Sequence, residues 1–221
     1  MTGFDLLLSK AARQLSGLDG LAPCLHKSRQ IKVLQAYDEA SQAATTEQQR
    51  AQVELALCSA NLTFAQKDSI VVNGLASVQT AVKHLAVATR HASAAHGCQA
   101  YEACRASARH LLAHSDLDLN QALSFWARVV KSAAEHRSLT GKFSLDQAEW
   151  TLEYGQRCMT EGSSYKIGLK CGYEAEGPVE SAIGSARHLQ DIHLTQQAEE
   201  LKAAIHTFIL CTCESVQVRP S

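Results

Sequence analysis

The densest group of side chains that could do chemistry lies between residues 84 and 114. It contains His84, His91, His96, Cys98, Cys104, His110 and His114, and imidazole and thiolate are ligands that bind zinc and copper. His110 and His114 are four residues apart, so on a helix both imidazoles point to the same side. His84 and His91 are seven apart and share a helical face in the same way. If the two helices are antiparallel neighbours, His84, His91, His110 and His114 predict a zinc or copper site.

The same histidines also fit a simpler interpretation, in which they are solvated or hydrogen-bonded surface residues. The segment from His110 to His114 reads His-Leu-Leu-Ala-His and lacks the glutamate that serves as general base in metalloprotease helices. Cys98 and Cys104 are six residues apart and do not form a C-x-x-C pair. We therefore favour surface histidines and no cofactor, and keep the metal-binding or cofactor-binding protein as the alternative.

The chain has eight cysteines, and two of them, Cys211 and Cys213, flank a threonine near the end of a predicted helix. The negative end of a helix dipole disfavours a thiolate there, which argues against a redox pair. The cysteines show no repeated spacing, and we find no secretion signal at the N-terminus. We therefore expect free thiols in the cytoplasm or another reducing intracellular compartment.

A third group combines aromatic and basic side chains on two neighbouring predicted helices. The aromatic residues fit core anchors, but tryptophan and tyrosine also supply much of the binding energy at protein interfaces. A mixed aromatic and basic face would suit an acidic peptide. The candidate partner-binding residues are Phe125, Trp126, Arg128, Lys131, Trp150 and Tyr154.

Composition and motifs favour a binding protein over an enzyme. The sequence has no G-x-G-x-x-G segment, P-loop, G-x-S-x-G or H-E-x-x-H motif. A net charge of −1 with no run of lysine and arginine argues against binding to nucleic acid. No stretch of 18 apolar residues is present, so we expect no membrane span.

Apolar residues recur at three- and four-residue steps along nearly the whole chain, as in Val71, Leu75, Val78, Val82 and Leu85. This period predicts amphipathic helices joined by short connections, and short connections place consecutive helices antiparallel. We predict an all-α protein of about ten helices, as either an array of helical hairpins or a closed bundle. Start signals are Thr46 with Gln49 and Ser115 with Asp118, and Gly177-Pro178 predicts a turn. We expect one domain over residues 1–221, with a flexible linker at 17–26 and a frayed tail at 214–221.

Residues 163–196 resemble a single tetratricopeptide repeat. Leu169, Tyr173 and Ala182 stand at the spacing of that motif, and Gly177 lies where its two helices turn. The resemblance implies a helical array whose concave face binds a peptide or a partner helix. With the missing catalytic motifs, it leads us to expect a protein–protein interaction module or assembly subunit, of unknown oligomeric state.

Overall fold

The computed structural model of the protein describes residues 2–18, 21, 23–91, 95–161 and 164–217. These residues form nine α-helices and no strand, which confirms the prediction of an all-α fold. Within residues 1–117 and within residues 118–221, consecutive helices pack against each other as hairpins. Contacts group the chain into two compact units, residues 1–117 (unit 1) and 118–221 (unit 2). No described helix combines the length and apolarity that crossing a membrane requires.

The described part of unit 1 contains five helices: α1 (Gly3–Ser16), α2 (Pro23–Ala43), α3 (Glu47–Lys67), α4 (Val71–His91) and α5 (Ala95–Ala113). Helix α3 contacts all of the other four. Two apolar clusters fill the space where α1 and α2 pack on α3, with Tyr37 and Phe64 in one and Phe4 and Val53 in the other. Gly74 allows α3, α4 and α5 to approach closely, because a Cβ there would lie 3.0 Å from the carbonyl oxygen of Ala65.

Unit 2 contains four helices, and its most extensive contact is between the second and the third. Small residues bring those two helices together, since a Cβ on Gly155 would lie 2.7 Å from the Cβ of Cys171. The core between the last three helices includes Ala148, Val179 and Ile205. The helices are α6 (Leu119–Ser132), α7 (Arg137–Thr160), α8 (Tyr165–Leu189) and α9 (Ile192–Gln217).

The predicted turn at Gly177-Pro178 is wrong, because α8 continues through Pro178. A proline inside a helix costs roughly 3 kcal/mol. Here Ala175, Val179 and Ala182 are fully buried on both sides of it, and their burial outweighs that cost. The positions that resemble a tetratricopeptide repeat therefore lie mostly on one continuous helix, and no helical hairpin turns at Gly177.

Three other helix boundaries differ in position from the sequence prediction. Thr46 caps α3 in a capping box with Gln49, as predicted, but α6 is capped by Asp118 with Gln121 and not from Ser115. Helix α2 begins at Pro23, inside the predicted linker, and α9 continues through Gln217, beyond residue 214. Residues 218–221 of the predicted tail lie outside the described part.

Candidate interaction surface

The aromatic residues predicted to line a groove are mostly core residues of unit 2. Phe125 and Trp126 on α6 are 1% and 0% exposed, and Trp150 on α7 is 5% exposed. The α6 residues belong to the apolar stripe of a helix that Asp118 caps, so their burial follows from amphipathic packing. Three of the six residues predicted to bind a partner are therefore buried within unit 2.

The remaining candidates of that group do not form a face with the buried rings. Arg128 and Lys131 are exposed on α6. Tyr154 is half-buried on α7, where its ring centroid lies 5.3 Å from that of Trp150 and 5.7 Å from the Arg157 guanidinium carbon. Burial raises the pKa of the Tyr154 hydroxyl, and the nearby Cys158 adds to the effect.

Two of the four predicted metal ligands pair with glutamates of α3. His84 Nδ1 lies 2.7 Å from Glu54 Oε2, and both side chains are about one-fifth exposed. His91 pairs with Glu47 one heptad away, so the two pairs form successive rungs between α3 and α4. Hydrogen bonding to His91 is the main cause that lowers the pKa of Glu47.

The other two predicted ligands stay together on α5. The rings of His110 and His114 are 4.3 Å apart, and His114 Nδ1 lies 2.8 Å from the His110 carbonyl oxygen. Among the described residues, no three histidine, cysteine or carboxylate side chains come together in a group that could hold a metal ion. The predicted convergence of the four histidines is therefore corrected, because glutamates occupy one pair and the other lies on a different helix. The side chain of His96 is outside the described part.

The cysteines whose side chains are described are free thiols. Cys58 on α3 and Cys104 on α5 are buried, with their sulfur atoms 3.7 Å apart. Their mutual hydrogen bond and burial raise the pKa of Cys104 well above its ordinary value, and burial raises the pKa of Cys171 to about 12. Cys211 and Cys213 lie within α9, where Cys211 is exposed. Of these thiols, Cys58, Cys104, Cys158 and Cys171 are buried, and Cys98 and Cys211 are exposed.

An exposed aliphatic pair lies where α3 turns into α4, at a segment we call the α3–α4 tip (residues 67–72). Ile70 is 57% exposed and Val72 is 63% exposed. Asp68 accepts a hydrogen bond from the Ile70 backbone N–H, and the Ile70 carbonyl accepts from Asn73 and Gly74, which fixes the start of α4. The two apolar side chains are therefore held at an ordered helix start while they remain exposed to solvent.

Two open grooves of unit 1 meet at Asp68 of this tip. The first has a volume of about 380 Å³ and lies between the end of α3 and α5. The second has a volume of about 410 Å³ and lies between the start of α2, the tip and the first turns of α4. The first is lined by Ala65, Gln66, Asp68, Ala106, Ser107, His110 and Leu111. The second is lined by His26, Lys27, Gln30, Lys67, Asp68, Ser69, Asn73, Ala76 and Ser77.

The two grooves differ in their chemistry. The groove on the α5 side has an apolar part formed by Ala65, Leu111 and the methyl of Ala106. The groove on the α2 side carries two lysines, Lys27 and Lys67, and His26, against one carboxylate, Asp68. The arrangement can therefore accept apolar side chains on one side and acidic groups on the other.

Sequence analysis did not select the tip. Val71 belongs to the predicted apolar stripe of the following helix, but successive residues of a helix point about 100° apart, so its neighbour Val72 does not share that stripe. Among residues 70–72, Val71 is the least exposed, and its neighbours Ile70 and Val72 remain in solvent. Three consecutive aliphatic residues after an Asp-Ser turn signal were the cue for an exposed apolar site.

Comparisons with protein-family models, with curated proteins and with solved structures found no match for this chain.

Proposed function

We propose that the protein is an interaction module, and that it binds a segment of a partner protein at the α3–α4 tip of unit 1. The observation that carries the proposal is the exposed pair Ile70 and Val72 beside two grooves that meet at Asp68. A contiguous exposed apolar patch marks a binding site more often than single exposed apolar residues do. The occupant is a peptide or partner helix with aliphatic side chains and flanking acidic residues.

Electrostatics support the acidic part of this assignment. Lys27, Lys67 and His26 line the α2-side groove with a single opposing carboxylate. Carboxylates of a bound segment would meet the exposed Lys27 at the rim, where charge acts mainly on association rate and salt dependence. The aliphatic pair supplies the central contact, which is where the binding energy of an interface concentrates.

The size of the aliphatic contribution follows from the exposure of the two side chains. Full burial of an isoleucine or valine contributes about 1.5–3 kcal/mol, and Ile70 and Val72 still expose more than half of their surface. Covering both would contribute about 2 kcal/mol, which corresponds to roughly 30-fold in Kd. An aspartate at either position removes this contribution and repels an acidic ligand.

The experiment selects peptides from a displayed random library against the immobilised full-length protein, then measures Kd by fluorescence polarisation. We expect selected peptides to combine aliphatic with acidic residues. The double variant Ile70→Asp/Val72→Asp should weaken binding by roughly 30-fold or more. Lys27→Glu should weaken it less and reduce its dependence on salt.

The matched control is Leu6→Asp, which changes another exposed aliphatic residue of unit 1, 56% exposed on α1. It should leave Kd unchanged, and circular dichroism should show the same helix content for all variants. The proposal is refuted if Leu6→Asp weakens binding as much as the tip variants do, or if the tip variants bind as tightly as the original protein.

The proposal also places the protein in a reducing intracellular compartment. The support is that the cysteines with described side chains are free, including a buried pair only 3.7 Å apart that would be open to oxidation in a secreted protein.

A further inference from the structure

We infer that the chain contains an internal duplication: helices α2–α5 of unit 1 and α6–α9 of unit 2 are two copies of one four-helix motif, and α1 is an addition to the first copy. Of the four helix pairs, two have starts at the same offset as their buried positions, while α2 and α6 start 96 residues apart and α4 and α8 start 94 residues apart. Helix α3 begins at Glu47 and α7 begins at Arg137, an offset of 90 residues. Helix α5 begins at Ala95 and α9 begins at Ile192, an offset of 97 residues.

Buried positions repeat at constant offsets in every helix pair. The five buried residues at the end of α2 and just after it all recur, 89 positions later, as buried residues of α6 and the position after it. In this pair Tyr37 corresponds to Trp126, so each copy places a large aromatic ring at the same core position. The sets are Val33, Ala36, Tyr37, Ala40 and Ala44, and Ala122, Phe125, Trp126, Val129 and Ala133.

Most buried positions of the central hairpin agree as well. The exceptions include the buried Phe64, Ala81 and Ala88, whose counterparts Tyr154, Pro178 and Ser185 are only partly buried. In α3 and α7, at an offset of 90, Val53, Cys58, Ala60 and Leu62 correspond to Phe143, Ala148, Trp150 and Leu152, and all eight are buried. The offset even pairs two buried polar residues, Asn61 and Thr151. In α4 and α8, at an offset of 97, Val78, Val82, Leu85 and Ala86 correspond to the buried Ala175, Val179, Ala182 and Ile183.

Helical periodicity alone would let the buried positions of any two amphipathic helices agree at some offset. A contact between two helices is a stricter test, because the offsets of both helices must be right for the corresponding residues to meet in the other unit. Glu54 of α3 meets His84 of α4 at 2.7 Å. The corresponding residues of unit 2 are Ser144 and Ser181, and Ser144 Oγ donates a hydrogen bond to Ser181 Oγ at 3.4 Å. The two hairpins are therefore paired in the same register.

A second contact agrees as well. In unit 1 the closest approach at Gly74 is to Ala65, and a Cβ on Gly74 would also meet Leu111 of α5. The corresponding residues of unit 2 are Cys171, Gly155 and Phe208, and a Cβ on Gly155 would meet both Cys171 and Phe208. The same three positions form the junction of three helices in each copy, with the glycine on α4 in one and on α7 in the other.

Sequence identity survives where α4 passes into α5 and α8 into α9. At the single offset of 97, six of the seventeen residues from 90 to 106 are identical, and Arg105 corresponds to Lys202. The identical pairs are Arg90 and Arg187, His91 and His188, His96 and His193, Gln99 and Gln196, Glu102 and Glu199, and Ala106 and Ala203.

The change of offset from 90 to 97 also has a physical explanation. It falls around the turn of the central hairpin. Relative to the matching positions of unit 1, α7 ends three residues later, α8 begins three residues earlier, and the connection between them has one more residue. Seven residues are close to two helical turns. Shared between both arms of a hairpin, they lengthen each arm by about one turn and leave the pairing below unchanged. Helix α7 has 24 residues against 21 in α3, and α8 has 25 against 21 in α4.

The experiment exchanges one connection in the full-length protein. In the in-register graft, residues 90–100 are replaced by the sequence of residues 187–197. In the control graft they are replaced by the sequence of residues 184–194, a shift of three residues that keeps the apolar phase of a helix nearly unchanged. The shift moves Gln190, which has a left-handed backbone with φ of 55°, from position 93 to position 96, inside the first turn of α5. Urea unfolding followed by circular dichroism compares the two.

If the two connections are equivalent, the urea midpoint of the in-register graft stays close to that of the original protein. The shifted graft lowers the midpoint by at least about twice as much as the in-register graft does. The reciprocal pair places residues 90–100, or as control 87–97, at positions 187–197, and is read by tryptophan fluorescence. Equal losses for in-register and shifted grafts in both directions would mean that the likeness is only helical periodicity, and would overturn the duplication.

Discussion

The α7–α8 contact makes a quantitative prediction for two glycines that lie in the same unit. Gly155 on α7 sits against α8, where a Cβ would lie 2.7 Å from Cys171 Cβ and 3.3 Å from Phe208 Cε1. Gly184 on α8 has nothing within 4 Å of the same atom. Replacing either by alanine gives the same gain in helix propensity, about 1 kcal/mol. The two variants therefore differ only in what the added methyl meets.

At Gly184 we expect the whole gain, so Gly184→Ala should stabilise unit 2 by about 1 kcal/mol. At Gly155 the methyl enters a space nearly 1 Å too small, since non-bonded carbon atoms prefer roughly 3.5–4.0 Å. Overpacking of this kind costs about 1–3 kcal/mol, which cancels or exceeds the gain. The Gly184→Ala protein should therefore be more stable than the Gly155→Ala protein by about 1–3 kcal/mol.

Tryptophan fluorescence measures this difference in unit 2 alone, because both tryptophans of the chain, Trp126 and Trp150, lie there. For a unit of this size, 1 kcal/mol shifts Tm by roughly 4–8 °C. Circular dichroism should show the same helix content in both variants at low temperature. A Gly155→Ala protein as stable as Gly184→Ala would refute the close α7–α8 packing on which the reasoning rests.

Three further predictions concern a cap, a histidine and the thiols. Thr46→Ala removes the side-chain cap of α3 and should cost about 1 kcal/mol in urea unfolding followed by circular dichroism, with Thr80→Ala, exposed within α4, as control. Burial, reinforced by Lys142, lowers the pKa of His136, so the folded state favours neutral imidazole. Unit 2 should then lose stability as pH falls below the unfolded-state pKa of about 6.5, and His136→Gln should reduce that loss in tryptophan-monitored unfolding. The thiols are tested by brief alkylation at pH 8 with peptide mass spectrometry. The exposed Cys98 and Cys211 should react before Cys104 and Cys171, which are buried and have raised pKa values. Preferential labelling of Cys104 and Cys171 would contradict their burial.

The sequence sufficed for the fold class and for most helices because burial follows the apolar period. The stripe from Val71 to Leu85 forms α4, and Thr46 with Gln49 starts α3 as predicted. The signal failed at Pro178, where local turn chemistry predicted a break and core burial on both sides kept the helix continuous. Local signals are weak beside the burial of several neighbouring residues, so a strong turn dipeptide can still lie within a helix.

The candidate sites were harder to predict, because their chemistry depends on which face a side chain occupies relative to other helices. Trp126 and Trp150 have the composition of an interface, yet lie in the core. His84 and His91 share a face as predicted, but that face meets Glu54 and Glu47 of α3 and not His110 and His114. One-helix periodicity identifies the face and leaves the neighbour undetermined.

The proposed duplication separates residues that maintain the motif from those free to carry a function. Positions that agree between the copies, such as Val82 with Val179 or Asn61 with Thr151, are explained by packing. The turn of the central hairpin is where the copies diverge in length, and the shorter one in unit 1 is the tip that presents Ile70 and Val72 between two grooves. Packing requires neither residue there, since both are more than half exposed. Replacing them should therefore leave the stability of unit 1 nearly unchanged while it weakens binding by roughly 30-fold or more. A large loss of stability in Ile70→Asp/Val72→Asp would show instead that the pair serves the fold.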